Sequence, residues 1–258
     1  VTYGFFLTIY LISILKELCQ LNFTHRRINK IQTITISFFK FKNNKNRAWA
    51  FIQMAFARLY ISKLEGMEFY KLFGTGSKEG FSSNINPFSN SGIYAIMAVW
   101  ESEKKADIAL KNSKIFKNYI FRSQENWHLF LRNISVKGKW NEKIPFKKFD
   151  DNVEGDLVVL TRATIKLKVL AKFWKRVPNI QNVIGDNKDV LFKIGLAEVP
   201  FIQSVTFSIW KSETDMNEFA RNIGPHSEAI KAVRKGNWFS EELYARFKII
   251  KQIGKLEN

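Results

Sequence analysis

The side chains best suited to chemistry in this 258-residue chain are its three histidines, His25, His128 and His226. His226 stands in GPHSEAIKAVR (224–234). Gly224 and Pro225 suit a helix start, because a proline in the first turn has no amide hydrogen bond to lose. In that helix His226 shares a face with Ala229, Ile230 and Val233, at i+3, i+4 and i+7, and so points toward apolar surroundings. The positive end of the helix dipole disfavours an imidazolium there, and burial acts in the same direction. A neutral imidazole can ligate iron through one nitrogen while the other finds a hydrogen-bond acceptor. The same features describe a core histidine next to a helix cap, and the residues alone leave both readings open. His128, in NWHLF, reads as a strand histidine facing a barrel or solvent, and His25 lies in the basic run THRRINK.

Other chemistries find little support. No GxGxxG follows a strand, and no GxxxxGK[ST], HExxH or GxSxG occurs. GTGSKEG (74–80) combines three glycines with a lysine, but it joins two strands instead of opening a helix, so it reads as a hairpin loop. Asp150 and Asp151 fall in a connecting stretch, and no carboxylate pair sits in an apolar setting of the kind glycoside hydrolysis needs. The single cysteine, Cys19, excludes an intramolecular disulfide and a CxxC zinc site, as expected of a cytoplasmic protein. The formal net charge of +18 favours anionic partners. Because the basic residues are scattered, with no Arg-rich arm, a nucleic-acid partner is not expected.

The elements that must position these residues are arranged as a duplication. Residues 1–30 stand apart: VTYGFFLTIYLISIL is too short for a membrane span of about 20 residues and carries no cleavage-site pattern, and it reads as an upstream extension or an interfacial helix. From Ile31 the pattern is strand (ITISFFKF), helix (48–64), two strands (MEFYKLFGTG and GIYAIMAVW), helix (EKKADIALKNSKIFKNYIFRSQ) and strand (NWHLFLRNISVKGKW). After FDDNVEGD the same order returns, from LVVLTRATI to LYARFKIIKQIGKL. FYKLFG (69–74) matches LFKIGL (191–196), and Trp100 matches Trp210 at a shift of 110 residues. The expected organisation is a first ferredoxin-like half at 31–148, a linker at 149–156 and a second half at 157–258. A ferredoxin-like sheet has helices on one face only, and two copies bury their bare faces against each other. The expected fold class is α+β, with tandem ferredoxin-like repeats forming a dimeric-α+β-barrel-type fold within one chain.

From Ile31 onward the chain also resembles the spheroidene monooxygenase family of carotenoid-modifying enzymes. The resemblance runs through RAWAFIQMAFAR (47–58), FYKLFGTGSKEGF (69–81), YAIMAVW (94–100), LTRATI (160–165) and FWKRVP (173–178), then VLFKIGLAEVPFIQSVTFSIW (190–210), GPHSEAIKAVR (224–234) and WFSEELYARF (238–247). It implies an oxygen-using enzyme with haem b that hydroxylates an allylic end-group carbon of an acyclic carotenoid twice and leaves a keto group. Electrons would come from a reduced ferredoxin-type donor. The family is in turn distantly similar to haem-binding barrels such as chlorite dismutases and aldoxime dehydratases, which carry the proximal histidine on a helix of the C-terminal half.

Carried onto this chain, the resemblance makes His226, within GPHxxAIxAVR, the expected iron ligand. Arg162, in LTRATI, is the expected distal residue, with a salt bridge or an outward-facing position as its alternatives. Arg234 is the expected partner of a haem propionate, against the commoner helix-surface role. An apolar channel built from the chain's phenylalanines would hold the substrate, and the positive charge would suit docking on an anionic membrane and on an acidic ferredoxin, at the cytoplasmic side of the inner membrane. Another haem enzyme on the same barrel, or a cofactorless ligand-binding barrel, remains open from the residues alone.

Overall fold

A computed structural model describes residues 31–75, 92–150, 152–175, 188–221 and 233–256. Residues 1–30 with Cys19 and His25, most of the GTGSKEG loop, and His226 lie outside the described residues. Eight antiparallel strands form a closed barrel: β1 (Thr33–Lys40), β2 (Met67–Thr75), β3 (Ile93–Trp100), β4 (Glu125–Gly138), β5 (Leu157–Ile165), β6 (Val190–Val199), β7 (Gln203–Trp210) and β8 (Phe239–Gly254). The order around the barrel is β1-β3-β2-β6-β7-β5-β8-β4. Each half is thus a ferredoxin-like sheet, β4-β1-β3-β2 or β8-β5-β7-β6. The halves join at two seams, β2 on β6 and β4 on β8.

The helices lie outside the sheet. α1 (Asn44–Phe56) starts where Asn43 Oδ1 accepts from Asn46 N at 2.8 Å, and the short α2 (Arg58–Ile61) follows it. The single helix expected over 103–124 is two. Ser113 adopts an extended conformation (φ −71°, ψ 138°) and its hydroxyl caps the next helix at Phe116 N, so the chain breaks into α3 (Glu103–Asn112) and α4 (Lys114–Arg122). In the second half a 3-10 turn (Leu167–Val169) leads into helical residues 170–175, and α5 (Glu213–Arg221) follows β7.

The two faces of the sheet part the core in two. Inward side chains, Ile34, Ile36, Phe38, Met97, Leu129, Leu131, Leu160, Phe207 and Phe247 among them, fill the barrel at or near zero exposure. The outward face of the first half packs Phe39, Leu72, Tyr94, Ile96, Trp100 and Phe130 beneath α1, α3 and α4. Trp100 and Trp210 occupy equivalent ends of β3 and β7, facing Met67 and Val190 in register. That equivalence corrects the match between β2 and β6 by one residue. Phe69 pairs with Val99 and Phe192 with Ile209, so Lys71 corresponds to Ile194 and not to Lys193. A slip of one residue turns a strand inside out, and Lys193 accordingly points out while Lys71 points in.

His128 is an outward residue of β4, buried under the helices and opposite Ser37 on β1. Its Nδ1 meets Ser37 Oγ at 2.8 Å and its Nε2 meets Asn126 Oδ1 at 3.1 Å. Because Asn126 Oδ1 only accepts, Nε2–H donates to it and Nδ1 accepts from the serine hydroxyl. Burial pushes the imidazole down to about 4 from its ordinary 6.5. The folded chain therefore keeps His128 neutral while the unfolded chain takes up a proton, so stability is complete above pH 6.5 and is lost as pH falls from 6.5 toward 4. The whole window amounts to about 3 kcal/mol. Denaturant unfolding at pH 7 and pH 5 should show this loss, and His128→Gln should flatten it.

Candidate functional site

The alternation of β5 places Arg162 in phase with the inward Val158 and Leu160, and its guanidinium points into the barrel. There it pairs with Glu241 of β8, and it lies over the Trp140 ring at 5.6 Å. Glu241 also accepts from the backbone N–H groups of Asn141 (3.1 Å) and Glu142 (2.7 Å). These two residues form a tight turn with left-handed φ values of 51° and 63°, closed by Trp140 N to Lys143 O at 2.8 Å. Burial alone would raise the Glu241 carboxyl, but the two N–H groups and the Arg162 charge outweigh it and hold the carboxyl below its ordinary range. Lys71 of β2 and Glu198 of β6 form a second buried pair, 2.6 Å apart, and Trp140 Nε1 donates to Glu198 at 3.2 Å. Lys71 Nζ also stands 5.6 Å from the Trp140 ring, so two cations flank one indole. The chain between β4 and β5 thus plugs this end of the barrel with Trp140 and Phe146.

Lys71, Glu198, Glu241 and Trp140 escaped the reading of the residues alone. The available signal was a charged residue in the apolar phase of an alternating strand, as in Phe69–Lys71–Phe73. The opposite end is filled by Phe38, Trp127, Phe192 and Phe207, with ring centroids 5.1–5.9 Å apart where Phe38 meets Trp127, Phe192 and Phe207 and where Trp127 meets Phe192. A cleft of about 320 Å³ opens beside them, lined by Trp127, Leu191, Phe192, Gln252 and Leu256 among others. The barrel phenylalanines pack on one another and on Trp127, as core residues and not as the walls of a channel.

The outward face of the second half differs sharply from that of the first. With Trp100 and Trp210 as equivalents, the registers match Leu72 to Gly195, Ile96 to Thr206, Tyr94 to Ser204 and Phe39 to Ala163. Four large side chains on one copy thus correspond to four small ones on the other, with Thr161, Ala197 and Ser208 beside them. The described helix of the crossover from β7 to β8, α5, sets Met216 against Leu157 and Trp210 at one end of this face, with the Phe219 ring tilted against Trp210 at 5.3 Å. Arg234, in the helical residues 233–236 that end the crossover, is exposed, and its charge acts on the Tyr244 hydroxyl of β8. His226 belongs to the same crossover, between Arg221 and Val233, outside the described residues. The sheet stands between Arg162, which faces the interior, and Arg234, on the outer side. The structure therefore does not bring these two candidate site residues together, and Arg162 takes the salt-bridge alternative.

No protein-family profile matches the chain. It is 44% identical over 229 residues to the spheroidene monooxygenase of Cereibacter sphaeroides, covering 88% of this chain and 69% of that protein. It is 36% identical over 219 residues to the spheroidene monooxygenase of Rhodobacter capsulatus, covering 84% of this chain and 89% of the relative. The chain belongs to the spheroidene monooxygenase family. Among solved structures, a crystal structure of aldoxime dehydratase aligns over 87% of this chain and 84% of its own with a TM-score of 0.59 at 10% identity, a likeness of fold. For this member of the spheroidene monooxygenase family, no helix among the described residues is long and apolar enough to cross a membrane.

The Arg162–Glu241 pair predicts an asymmetry. The Arg162 side chain is 1% exposed and that of Glu241 21%. Glu241→Ala strands a buried guanidinium and should cost about 3 kcal/mol in urea unfolding. Arg162→Met should cost clearly less, because Glu241 keeps its two backbone donors and some water. The reverse order would show that the pair does not hold this end of the barrel.

Proposed function

We propose that this chain is a haem-dependent monooxygenase that introduces a keto group into an acyclic carotenoid of the spheroidene type, by successive hydroxylation with O2 and electrons from a reduced ferredoxin-type donor. The observation that carries the reading is the floor of Gly195, Thr206, Ser204 and Ala163 on the outer face of the second half, the same side of the sheet as Arg234. A flat macrocycle needs depth between sheet and helix, and the equivalent face of the first half has none, since Leu72, Ile96, Tyr94 and Phe39 fill it. Family membership supports the substrate class.

On this reading His226 holds the iron through a neutral imidazole nitrogen, and the exposed Arg234 pairs with a propionate. The low floor and the exposed Arg234 are what supports a haem at this face. When bound, haem supplies the activation of O2. The protein's own part is to fix the ring against the sheet, keep the ligand imidazole unprotonated and exclude water beneath the crossover. Arg162, closed into the barrel end, keeps the second half's sheet in register behind that floor. A carotenoid offers no charge, so its recognition rests on apolar contact, and it dissolves in the bilayer. The enzyme therefore works at the cytoplasmic face of an anionic membrane.

The test is the absorption spectrum of the purified chain after haem supplementation. A Soret band is expected, and its absence would overturn the haem reading. His226→Ala should shift or abolish the band, whereas an unchanged spectrum and spin state would remove His226 as the ligand. Ala163→Phe, which restores the first half's side chain on the floor, should abolish haem retention while leaving the unfolding midpoint close to that of the parent chain. Analysis of pigments in a carotenoid-producing host then tests the substrate, with a keto-carotenoid as the expected product.

A further inference from the structure

Helix α1 and its continuation α2 are apolar on two opposite sides. One side, with Ala50, Ala57 and Ile61 at zero exposure, packs on the barrel. The other carries Phe51 (47% exposed), Ile52 (51%), Phe56 (56%), Leu59 (60%) and Tyr60 (63%), which follow one another over about 14 Å of helix. A helix apolar all round is ordinarily covered all round, and a contiguous exposed apolar strip marks a contact surface. Its border is predominantly basic, with Glu65 beyond Lys63 paired to Lys105. Residues 42–63 contain Lys42, Lys45, Arg47, Arg58 and Lys63 and no acidic residue, and Lys42, Lys45 and Lys63 are exposed. The adjoining α4 adds Lys114, Lys117 and Arg122, again without an acid, and an 84% exposed Phe121. Asn46 Nδ2 holds the two helices together by donating to Arg122 O at 2.8 Å, and the Arg122 guanidinium covers Trp49 at 4.9 Å.

We infer that the exposed face of α1 and α2 is the surface by which this protein docks on an anionic lipid bilayer. Phe51, Ile52, Phe56, Leu59 and Tyr60 enter the boundary between headgroups and acyl chains, and the surrounding lysines meet lipid phosphates. The strip is a convex ridge of single side chains, which a fluid bilayer accepts without a preformed groove, and its length and basic margin match an interfacial helix. A second copy of the chain would set the same lysines against each other with no carboxylate between them. Tyr70 Oη donates to Arg58 O at 3.4 Å, tying α2 to β2, the strand that borders the second half. The docked face therefore lies alongside the half that holds the small-residue floor. The surface follows from exposure and charge, and it rests on the proposed function only in that a bilayer-dissolved substrate gives the docking its purpose.

The experiment is flotation of the full chain with vesicles of phosphatidylcholine alone and of phosphatidylcholine mixed with phosphatidylglycerol. The parent chain should float with the mixed vesicles and more weakly with the neutral ones. Phe56→Ser combined with Leu59→Ser should weaken partition at least about tenfold, as expected for two large apolar side chains withdrawn from the membrane. Both residues are exposed, so the variant should keep the parent's unfolding midpoint. Lys42→Glu combined with Lys45→Glu should reduce binding to the mixed vesicles toward the level seen with neutral ones. The inference is overturned if the apolar variant floats like the parent, which would place binding elsewhere on the chain. It is also overturned if light scattering shows that the variant loses a dimer while its flotation is unchanged, or if the parent ignores both vesicles and binds only an acidic protein. A failed flotation with an intact Soret band sinks the docking surface alone, whereas flotation without a Soret band sinks the haem reading alone.

Discussion

Closure of the barrel is the constraint on which everything else in this chain depends. A ferredoxin-like half presents an unpaired strand at each edge and an uncovered apolar face, and neither is tolerable alone. Two halves in one chain remove both problems if their edges pair. The β4–β8 seam does so generously, from Trp127 opposite Gly254 to Gly138 opposite Leu243. Among the described residues the β2–β6 seam pairs Gly74 with Ala197 and Thr75 with Leu196. Side chains supply what the short ladder lacks, since the buried Lys71–Glu198 pair spans this seam and Trp140 clamps Glu198 from the segment that joins the halves. A buried ion pair contributes little net stability against an apolar substitute, but it fixes register, because a slipped strand would leave both charges unpaired in the interior.

Closure also frees one sheet face to specialise. Each half must still cover its outer face, and the first half does this with its own side chains beneath α1, α3 and α4. The second half carries glycine, alanine, serine and threonine at the corresponding places. Small residues under a crossover bury less apolar surface and so stabilise that half less. The deficit is borne by the shared barrel core, which both halves build from inward residues at or near zero exposure. Duplication thus allows one copy to fill its outer face with large side chains while the other keeps that face low.

The strand order was legible from the residues because alternation and turn signals repeat twice, and the matching tryptophans Trp100 and Trp210 mark the same corner of each copy. The finer register was not. FYKLFG and LFKIGL align most readily with their lysines superposed, yet the true equivalence is one residue away, because what distinguishes the faces is pairing to β3 and β7 and not local likeness. The break at Ser113 was hidden for a related reason, since a serine within a helical pattern is an ordinary interior residue until its side chain caps a new helix. Arg162 was singled out as a residue of interest, but its partners come from β8 and from the turn after β4, far away in sequence, so its pairing could only emerge from the closed barrel. The contrast between the two outer faces was written in the sequence all along, but reading it requires the register that only the sheet provides.

The two apolar sides of α1 and α2 fit into the same logic. In the first half, helix and sheet already satisfy each other through Ala50, Ala57 and Ile61, small or branched residues that let the helix lie close to the strands. Phe51, Phe56, Leu59 and Tyr60 stay about half exposed on the far side, and exposed aromatic and leucine side chains carry a standing cost in solubility. A fold that needed only the barrel would carry polar residues there, as the exposed Lys104 and Lys111 do on α3. The first half thus carries an exposed apolar strip over a filled sheet face, and β2, to which Tyr70 ties α2, borders the half whose outer face is lined by small residues. In a carotenoid monooxygenase, whose substrate class is insoluble in water, the proposed docking strip on one half and the proposed haem face on the other would divide the work along the β2–β6 seam.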